Sequence, residues 1–316
     1  MRDEFAKIDW LKTRFELDDT PSALEVGIGD DAAVIDFGNR GTIVTVDTQV
    51  EGVHFRRDLI SCRAVGYRAM VAAASDVYAM AGTPSASVIA LTLPSALQDD
   101  DFRELIEGLA EAARQTGAQV IGGNLSAGDA LSITTTVFGL PLSESVTRTH
   151  ARPGDSVYVT GTLGSAALGL AILESGRSDI ADGEQFVERW RRPPCNGRAA
   201  KVIAELASAA VDVSDGCLQD LRHICEASAV GARLRASALP VDTGYTAACK
   251  ALDIDPIELA LTGGEDYELL FTAPASAEAR AIATEIGEIV EEPGVQVLDD
   301  DGCTLSFGRA GFDHFS

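Results

Sequence analysis

Aspartates recur where glycine turns and strand ends would place them. Asp30 and Asp31 lie side by side in Gly27-Ile28-Gly29-Asp30-Asp31, followed by Asp47, Asp76, Asp212 and Asp215, and by the doublet Glu265-Asp266. Adjacent like charges are costly unless water or a cation separates them. A hard divalent cation such as magnesium takes several carboxylate oxygens, above all where phosphates share it. The series therefore points to metal-assisted phosphate chemistry. Structural uses compete for individual members: Asp30 and Asp31 fit a turn, and Asp212 and Asp215, straddling Ser214 before a helix, fit a cap. Asp76 is harder to explain structurally, because a carboxylate on a packed helix face needs a charged partner.

Other phosphate devices are missing. No G-x-x-x-x-G-K-[ST] loop occurs, and no lysine lies in the glycine turns. Gly27-Ile28-Gly29 lacks the third glycine and the strand-to-helix setting of a dinucleotide site. Gly161-Thr162-Leu163-Gly164 reads as a tight helix-entry turn. His54, His150 and His223 are scattered and offer no transition-metal cluster.

The elements that must position these acids follow from periodicity. Phe5, Ile8, Leu11 and Phe15 predict an amphipathic helix over 4–15. Residues 42–47 read as a strand ending on Asp47. Residues 63–80 read as a helix stopped by Gly82 and Pro84, with Val65, Ala69, Ala72 and Asp76 on one face. Strands are predicted at 87–93, 120–121, 131–138, 156–160 and 269–272, and a helix at 101–117. Strands and helices alternate without strict βαβ order, which favours an α+β or mixed α/β fold.

A length of 316 residues suits two domains, with a boundary at the turn Pro153-Gly154-Asp155, giving 1–150 and 151–316. A net charge of −24 argues against nonspecific binding to nucleic acid or an anionic membrane. The six cysteines show no CxxC spacing and read as reduced, mostly buried thiols. No stretch approaches the ~20 apolar residues of a membrane span, and the N-terminus lacks a signal-peptide core, so a cytoplasmic protein is expected.

Taken in order, the motifs resemble those of the thiamine-monophosphate kinases, within the superfamily that includes aminoimidazole ribonucleotide synthetase. The matching segments are 27–31, Thr45-Val46-Asp47-Thr48 with Glu51-Gly52-Val53-His54-Phe55, 74–82, and Ile121-Gly122-Gly123-Asn124. They continue through 151–155, Asp212-Val213-Ser214-Asp215-Gly216, 262–269, and Gly311-Phe312-Asp313-His314-Phe315. The resemblance spans nearly the whole chain.

It implies an ATP-dependent kinase of thiamine monophosphate, a phosphotransferase acting on a phosphate acceptor in thiamine diphosphate biosynthesis. It implies magnesium held by Asp30, Thr45, Asp47, Asp76, Asp212 and Asp215. Gly123, Asn124, Arg148 and Ser214 correspond to nucleotide-contacting positions, and His54, Glu265 and Phe312 to substrate-contacting ones. No catalytic side-chain base is expected. The implied architecture is an N-terminal ATP- and magnesium-binding domain forming half of a dimeric β-barrel, and a C-terminal α/β domain completing the substrate site. The implied assembly is a homodimer. Two departures stand out: Asn124, where the family often has Asp, and Val46, where a hydroxyl residue is frequent. A catalytically altered or regulatory nucleotide-binding homologue, or another ATP-using member of the superfamily, remains an alternative reading of the same motifs.

Overall fold

The computed structural model describes residues 24–308 apart from 28, 37, 39 and 40. The predicted N-terminal helix and Phe312 lie outside the described residues.

The first half contains β1 (Leu24–Val26), β2 (Ala33–Asp36), β3 (Gly41–Val50), α1 (Cys62–Ala79), β4 (Gly82–Leu93), α2 (Asp99–Thr116), β5 (Gln119–Ala127) and β6 (Ser132–Pro141). Six strands form a sheet in the order β1-β2-β3-β6-β4-β5, antiparallel except for the β4–β5 pair. The alternation along β3 shows why one face is covered: Ile43, Thr45 and Gln49 are buried, whereas Val46 and Thr48 are exposed. Ile43, Ile89, Ile133 and Val137 from that inner face share a core with Val65, Met70 and Val77 of α1 and Leu105 and Leu109 of α2.

Helix α1 is buried almost all round, as expected of a helix packed on more than one side. Ser61 caps its start by accepting from the Ala64 N–H. Against α2 it packs backbone to backbone: a Cβ at Gly66 would lie 2.1 Å from the Leu105 carbonyl oxygen, and one at Gly108 would lie 1.8 Å from that of Arg63. Its C-terminal end, with Tyr78 and Ala79, enters a separate core with Tyr158, Ile203 and Phe271. One helix thus ties the two halves of the chain together.

The second half contains β7 (Ser156–Val159), α3 (Ser165–Ser175), α4 (Gly183–Arg191), α5 (Gly197–Leu206), β8 (Ala209–Asp212), α6 (Cys217–Ser228), β9 (Gly231–Arg235), α7 (Tyr245–Ala251), α8 (Pro256–Thr262), β10 (Leu269–Ala273), β11 (Thr284–Val290), β12 (Gly294–Leu298) and β13 (Thr304–Leu305). Its seven strands run in the order β13-β12-β9-β11-β7-β10-β8, and only β9–β12 is parallel. The fold is a mixed α/β arrangement with one sheet in each half.

Three local expectations need correction. Strand β3 continues past Asp47 to Val50, so Asp47 lies within the strand on the parity of its buried face. Strand β4 starts at Gly82, and Pro84 is tolerated there because the β4–β6 register shifts between Pro84 and Ala86. Strand β5 runs for nine residues through Gly122-Gly123-Asn124, held by pairing with β4, and every one of its residues is exposed.

Candidate active site

Four separate elements deliver acids to one place. The turn before β2 supplies Asp31, β3 supplies Thr45 and Asp47, the last turn of α1 supplies Asp76, and the end of β8 supplies Asp212. Asp31, Asp76 and Asp212 each place a carboxylate oxygen so that all three atoms lie within 4.8 Å of one another. The Thr45 hydroxyl donates to Asp76 Oδ2. Asp31 Oδ2 and Asp212 Oδ2 are buried with no hydrogen-bond partner among the described residues. Buried acceptors without donors are rare and call for an explanation.

The electrostatics are those of carboxylates crowded together. Burial, and then repulsion from Asp212 and Asp31, holds the Asp76 carboxyl well above the usual carboxylate range. Burial followed by the charge of Asp31 pushes Asp212 up to about 8. Asp31 is pushed up to about 6 by burial, opposed by Arg148 and reinforced by Asp30. An all-oxygen donor set with orphaned lone pairs fits a hard cation such as magnesium. Among the described residues Asp76 has no salt-bridge partner, and its surroundings are the Thr45 hydroxyl and the acids Asp212, Asp31 and Asp47.

The glycine turn separates its two carboxylates. Asp30 accepts from the backbone N–H of Asp31 at 3.0 Å and from that of Arg148 at 3.1 Å. Asp31 reaches the triad and is gripped by the Arg148 guanidinium, with Nε at 3.2 Å and Nη2 also donating to Oδ1. The resemblance names Asp30 as the ligand of this pair, yet it is Asp31 whose carboxylate lies with those of Asp76 and Asp212, while both Asp30 oxygens accept from backbone N–H groups. Nothing in the spacing of a tight turn distinguishes neighbours, and the partner that does so is 117 residues away.

Capping does not explain the acids before α6. Its N-cap, Gly216, makes no side-chain cap bond, and the Gly216 N–H donates instead to Asp220 at 3.1 Å. Asp215 accepts from Gln219 at 3.2 Å and contributes to the field at Asp212. Asp220 is a buried acid not singled out in the sequence. Burial and the charges of Asp215 and Asp212 hold it well above the carboxylate range.

The glycine–acid turn 263–268 lies against the segment 212–216. Glu265 N–H donates to the Ser214 carbonyl and Tyr267 N–H to that of Val213. The field at Tyr267 includes Glu265, Asp47 and Asp212, which places this turn beside the triad. Its three acids have divided work. Asp266 accepts from Gly164 N–H and Ala166 N–H at the start of α3. Glu268 accepts from Thr160, Arg189 and Asn196. Both are buried, whereas the Glu265 side chain keeps 25% exposure. The Glu265-Asp266 doublet is thus no second pair of metal ligands, since Asp266 is used on a helix N-terminus.

The remaining sequence-predicted residues are not all at this centre: the groove beside Asn124 lies on the sheet face of Val46 and Thr48, opposite Thr45. His54 follows β3 and accepts through Nδ1 from Val50 N–H at 3.0 Å. Gly123 and Asn124 sit on the edge strand β5, where they line an open groove of about 360 Å³ with Val88, Ala90, Thr134 and Thr136. A Cβ at Gly123 would lie 1.9 Å from the Ile89 carbonyl oxygen, so close strand pairing demands glycine there. Val46 is 63% exposed on the face of β3 opposite Thr45, so its side chain points away from the triad.

Comparison with known proteins fits this geometry. Residues 29–140 match the model of the AIR synthase related protein N-terminal domain, and residues 152–300 match that of the C-terminal domain. The chain therefore belongs to the AIR synthase related family. The thiamine-monophosphate kinase of Aquifex aeolicus is 34% identical over 314 residues, covering 99% of this chain and 98% of that protein. The thiamine-monophosphate kinase of Mycobacterium tuberculosis (strain H37Rv) is 36% identical over 317 residues, covering 99% and 91%. The solved complex of AaThiL with AMPPCP and TMP superposes with a TM-score of 0.88 at 33% identity, covering 99% of this chain and 97% of that one. Within the family, these full-length relatives place the chain among the thiamine-monophosphate kinases, which are phosphotransferases.

Proposed function

We propose that the chain transfers the γ-phosphoryl group of ATP directly to the phosphate of thiamine monophosphate, as a cytoplasmic homodimer. The reading is carried by the triad Asp31, Asp76 and Asp212 in a chain that aligns almost end to end with a relative holding AMPPCP and TMP.

The acceptor is already an anionic phosphate oxygen. As it bonds to the γ-phosphorus, the bond to the β–γ bridging oxygen breaks and that electron pair leaves with ADP. No side chain has to remove a proton, which accounts for the absence of a catalytic base in the reading. The barrier is the repulsion of two polyanions, so positioning and charge neutralisation dominate. Magnesium held by Asp31, Asp76 and Asp212, with Thr45, Asp47 and Asp215 beside them, supplies that neutralisation when bound. Thr45 fixes the rotamer of Asp76 through its hydrogen bond. Arg148, whose planar fork already holds Asp31, offers further donors to a phosphate. By the resemblance, Gly123, Asn124 and Ser214 would contact the nucleotide, and His54, Glu265 and Phe312 the acceptor. The outward direction of the Val46 side chain weighs against the catalytically altered alternative, because a hydroxyl there would not face the triad.

Strand β5 supports the dimer. Val120, Ile121 and Leu125 are 43%, 63% and 63% exposed on a sheet edge that no other described strand pairs, a liability that a second copy of the chain would cover. Such pairing would complete the barrel of which this sheet forms half.

The decisive assay is ADP release with and without thiamine monophosphate, in magnesium and in EDTA. Release that requires both is expected, and release at an equal rate without thiamine monophosphate would refute the assignment. A covalent phosphoenzyme, or retention of configuration at the transferred phosphorus, would refute direct transfer.

A further inference from the structure

Among the acids of the 263–268 turn, Glu265 is anchored in an unusual way. Arg68, on α1 and 1% exposed, donates through Nη2 to Glu265 Oε1 and through Nη1 to the Trp190 carbonyl at 2.6 Å. Its guanidinium lies 4.8 Å from the centroid of the Trp190 ring. Trp190, also 1% exposed, donates its indole N–H to Glu265 Oε2 at 2.8 Å. Both carboxylate oxygens are thus fixed, by groups from different halves of the chain. The backbone at Glu265 has φ +69°, a conformation costly for a residue with a side chain. Arg68 Nε is buried without an acceptor among the described residues.

This arrangement is expensive for a loop that has other anchors. Asp266 already ties the turn to α3, and Glu268 already ties it to Thr160, Arg189 and Asn196. The Arg68–Trp190 clamp instead fixes the direction of the one acid in the turn that reaches the surface beside the triad. Arg68 and Asp76 lie eight residues apart on α1, about two turns, so a single rigid helix holds both the clamp and a triad carboxylate.

We infer that Arg68 and Trp190 are positioning residues that orient Glu265 toward the acceptor, making the carboxylate a selector for the acceptor's amino-bearing, cationic ring system. The inference rests on the acceptor-side reading of Glu265 proposed above. With its charge offset by Arg68, the carboxylate still has lone pairs that match ring N–H donors, so the clamp also sets which end of the acceptor faces the triad. Freeing the carboxylate should weaken acceptor binding while leaving the nucleotide site intact.

The test compares three variants of the full chain by steady-state kinetics, with separate KM values for thiamine monophosphate and for ATP. Trp190→Phe keeps the ring and its packing and removes one N–H. It should raise the KM for thiamine monophosphate about tenfold, the loss of roughly one hydrogen bond to a charged group, with the KM for ATP changed less than twofold. Arg68→Lys keeps the charge without the fork and should move the same constant in the same direction. Glu265→Gln should raise it too, and adding Trp190→Phe to Glu265→Gln should then change little, because both act through one group. An unchanged KM in Glu265→Gln would overturn the acceptor-side reading of Glu265 itself. A shift in Glu265→Gln with none in Trp190→Phe or Arg68→Lys would overturn the positioning role alone. Equal shifts for both substrates in Trp190→Phe would reduce the clamp to a structural contact.

Discussion

Replacing Asp212 with Asn should stabilise the magnesium-free protein at pH 7 and remove most of the stabilisation that magnesium gives. Asp212 is 2% exposed, and burial with repulsion from Asp31 pushes its carboxyl from 3.8 up to about 8. The folded state therefore holds this proton more tightly than the unfolded chain does. The stability that the proton brings is complete below about pH 4 and is lost as pH rises to about 8. At pH 7 the interval above the unfolded value is roughly 3 units, or about 4 kcal/mol at ~1.4 kcal/mol per unit, as a ceiling. An amide at this position still needs partners in a buried site, which reduces the expected gain to roughly 1–3 kcal/mol. The assay is urea denaturation in EDTA from pH 5 to 8, repeated with saturating magnesium. The wild-type curve should fall with pH in EDTA and be lifted by magnesium, by about 2.7 kcal/mol at a hundredfold excess over Kd. The D212N curve should be flatter and gain much less. A D212N protein that is less stable than wild type in EDTA at pH 7, and gains as much from magnesium, would refute the triad as a cation site.

Asp76→Ala should abolish turnover with the far-UV spectrum unchanged, because it removes the acid common to the Thr45 bond and the triad; wild-type turnover across a magnesium titration would sink its role. Thr45→Val should lower kcat about tenfold while leaving the chain folded, as expected for one lost hydrogen bond to a charged group; an unchanged kcat would mean that Asp76 needs no help with orientation. Leu125→Asp on β5 should convert a dimer to a monomer by light scattering, and an unaltered mass would place any dimer contact elsewhere.

Helix α1 and the small-residue face carrying Asp76 could be read from the sequence, because the spacing of Val65, Ala69, Ala72 and Asp76 and the stop at Gly82 and Pro84 agree there; its cap at Ser61 was not read. Strand β5 could not: Gly122-Gly123-Asn124 looks locally like a turn, and only pairing with β4 over Ala86–Leu93 makes it extended. The same division holds at the site. Asp76 and Asp212 were legible from their place at element ends. The choice of Asp31 over Asp30 depends on Arg148, and the separate uses of Glu265, Asp266 and Glu268 depend on partners such as Arg68, Trp190 and Arg189. Such pairings arise from the packing of distant segments and leave no local pattern.

The backbone contact between α1 and α2 has a mechanical consequence. Gly66 lies ten residues from Asp76 along α1, a lever arm of about 15 Å at 1.5 Å per residue. A methyl group at Gly66 or Gly108 has no side chain to push aside, since the nearest atoms are main-chain carbonyls at 2.1 Å and 1.8 Å. The helix would have to tilt, and a tilt of roughly 4° over that arm displaces the Asp76 end by about 1 Å, enough to cost on the order of a hundredfold in rate. Two glycines remote from any phosphate thus set the alignment tolerance of the reaction centre.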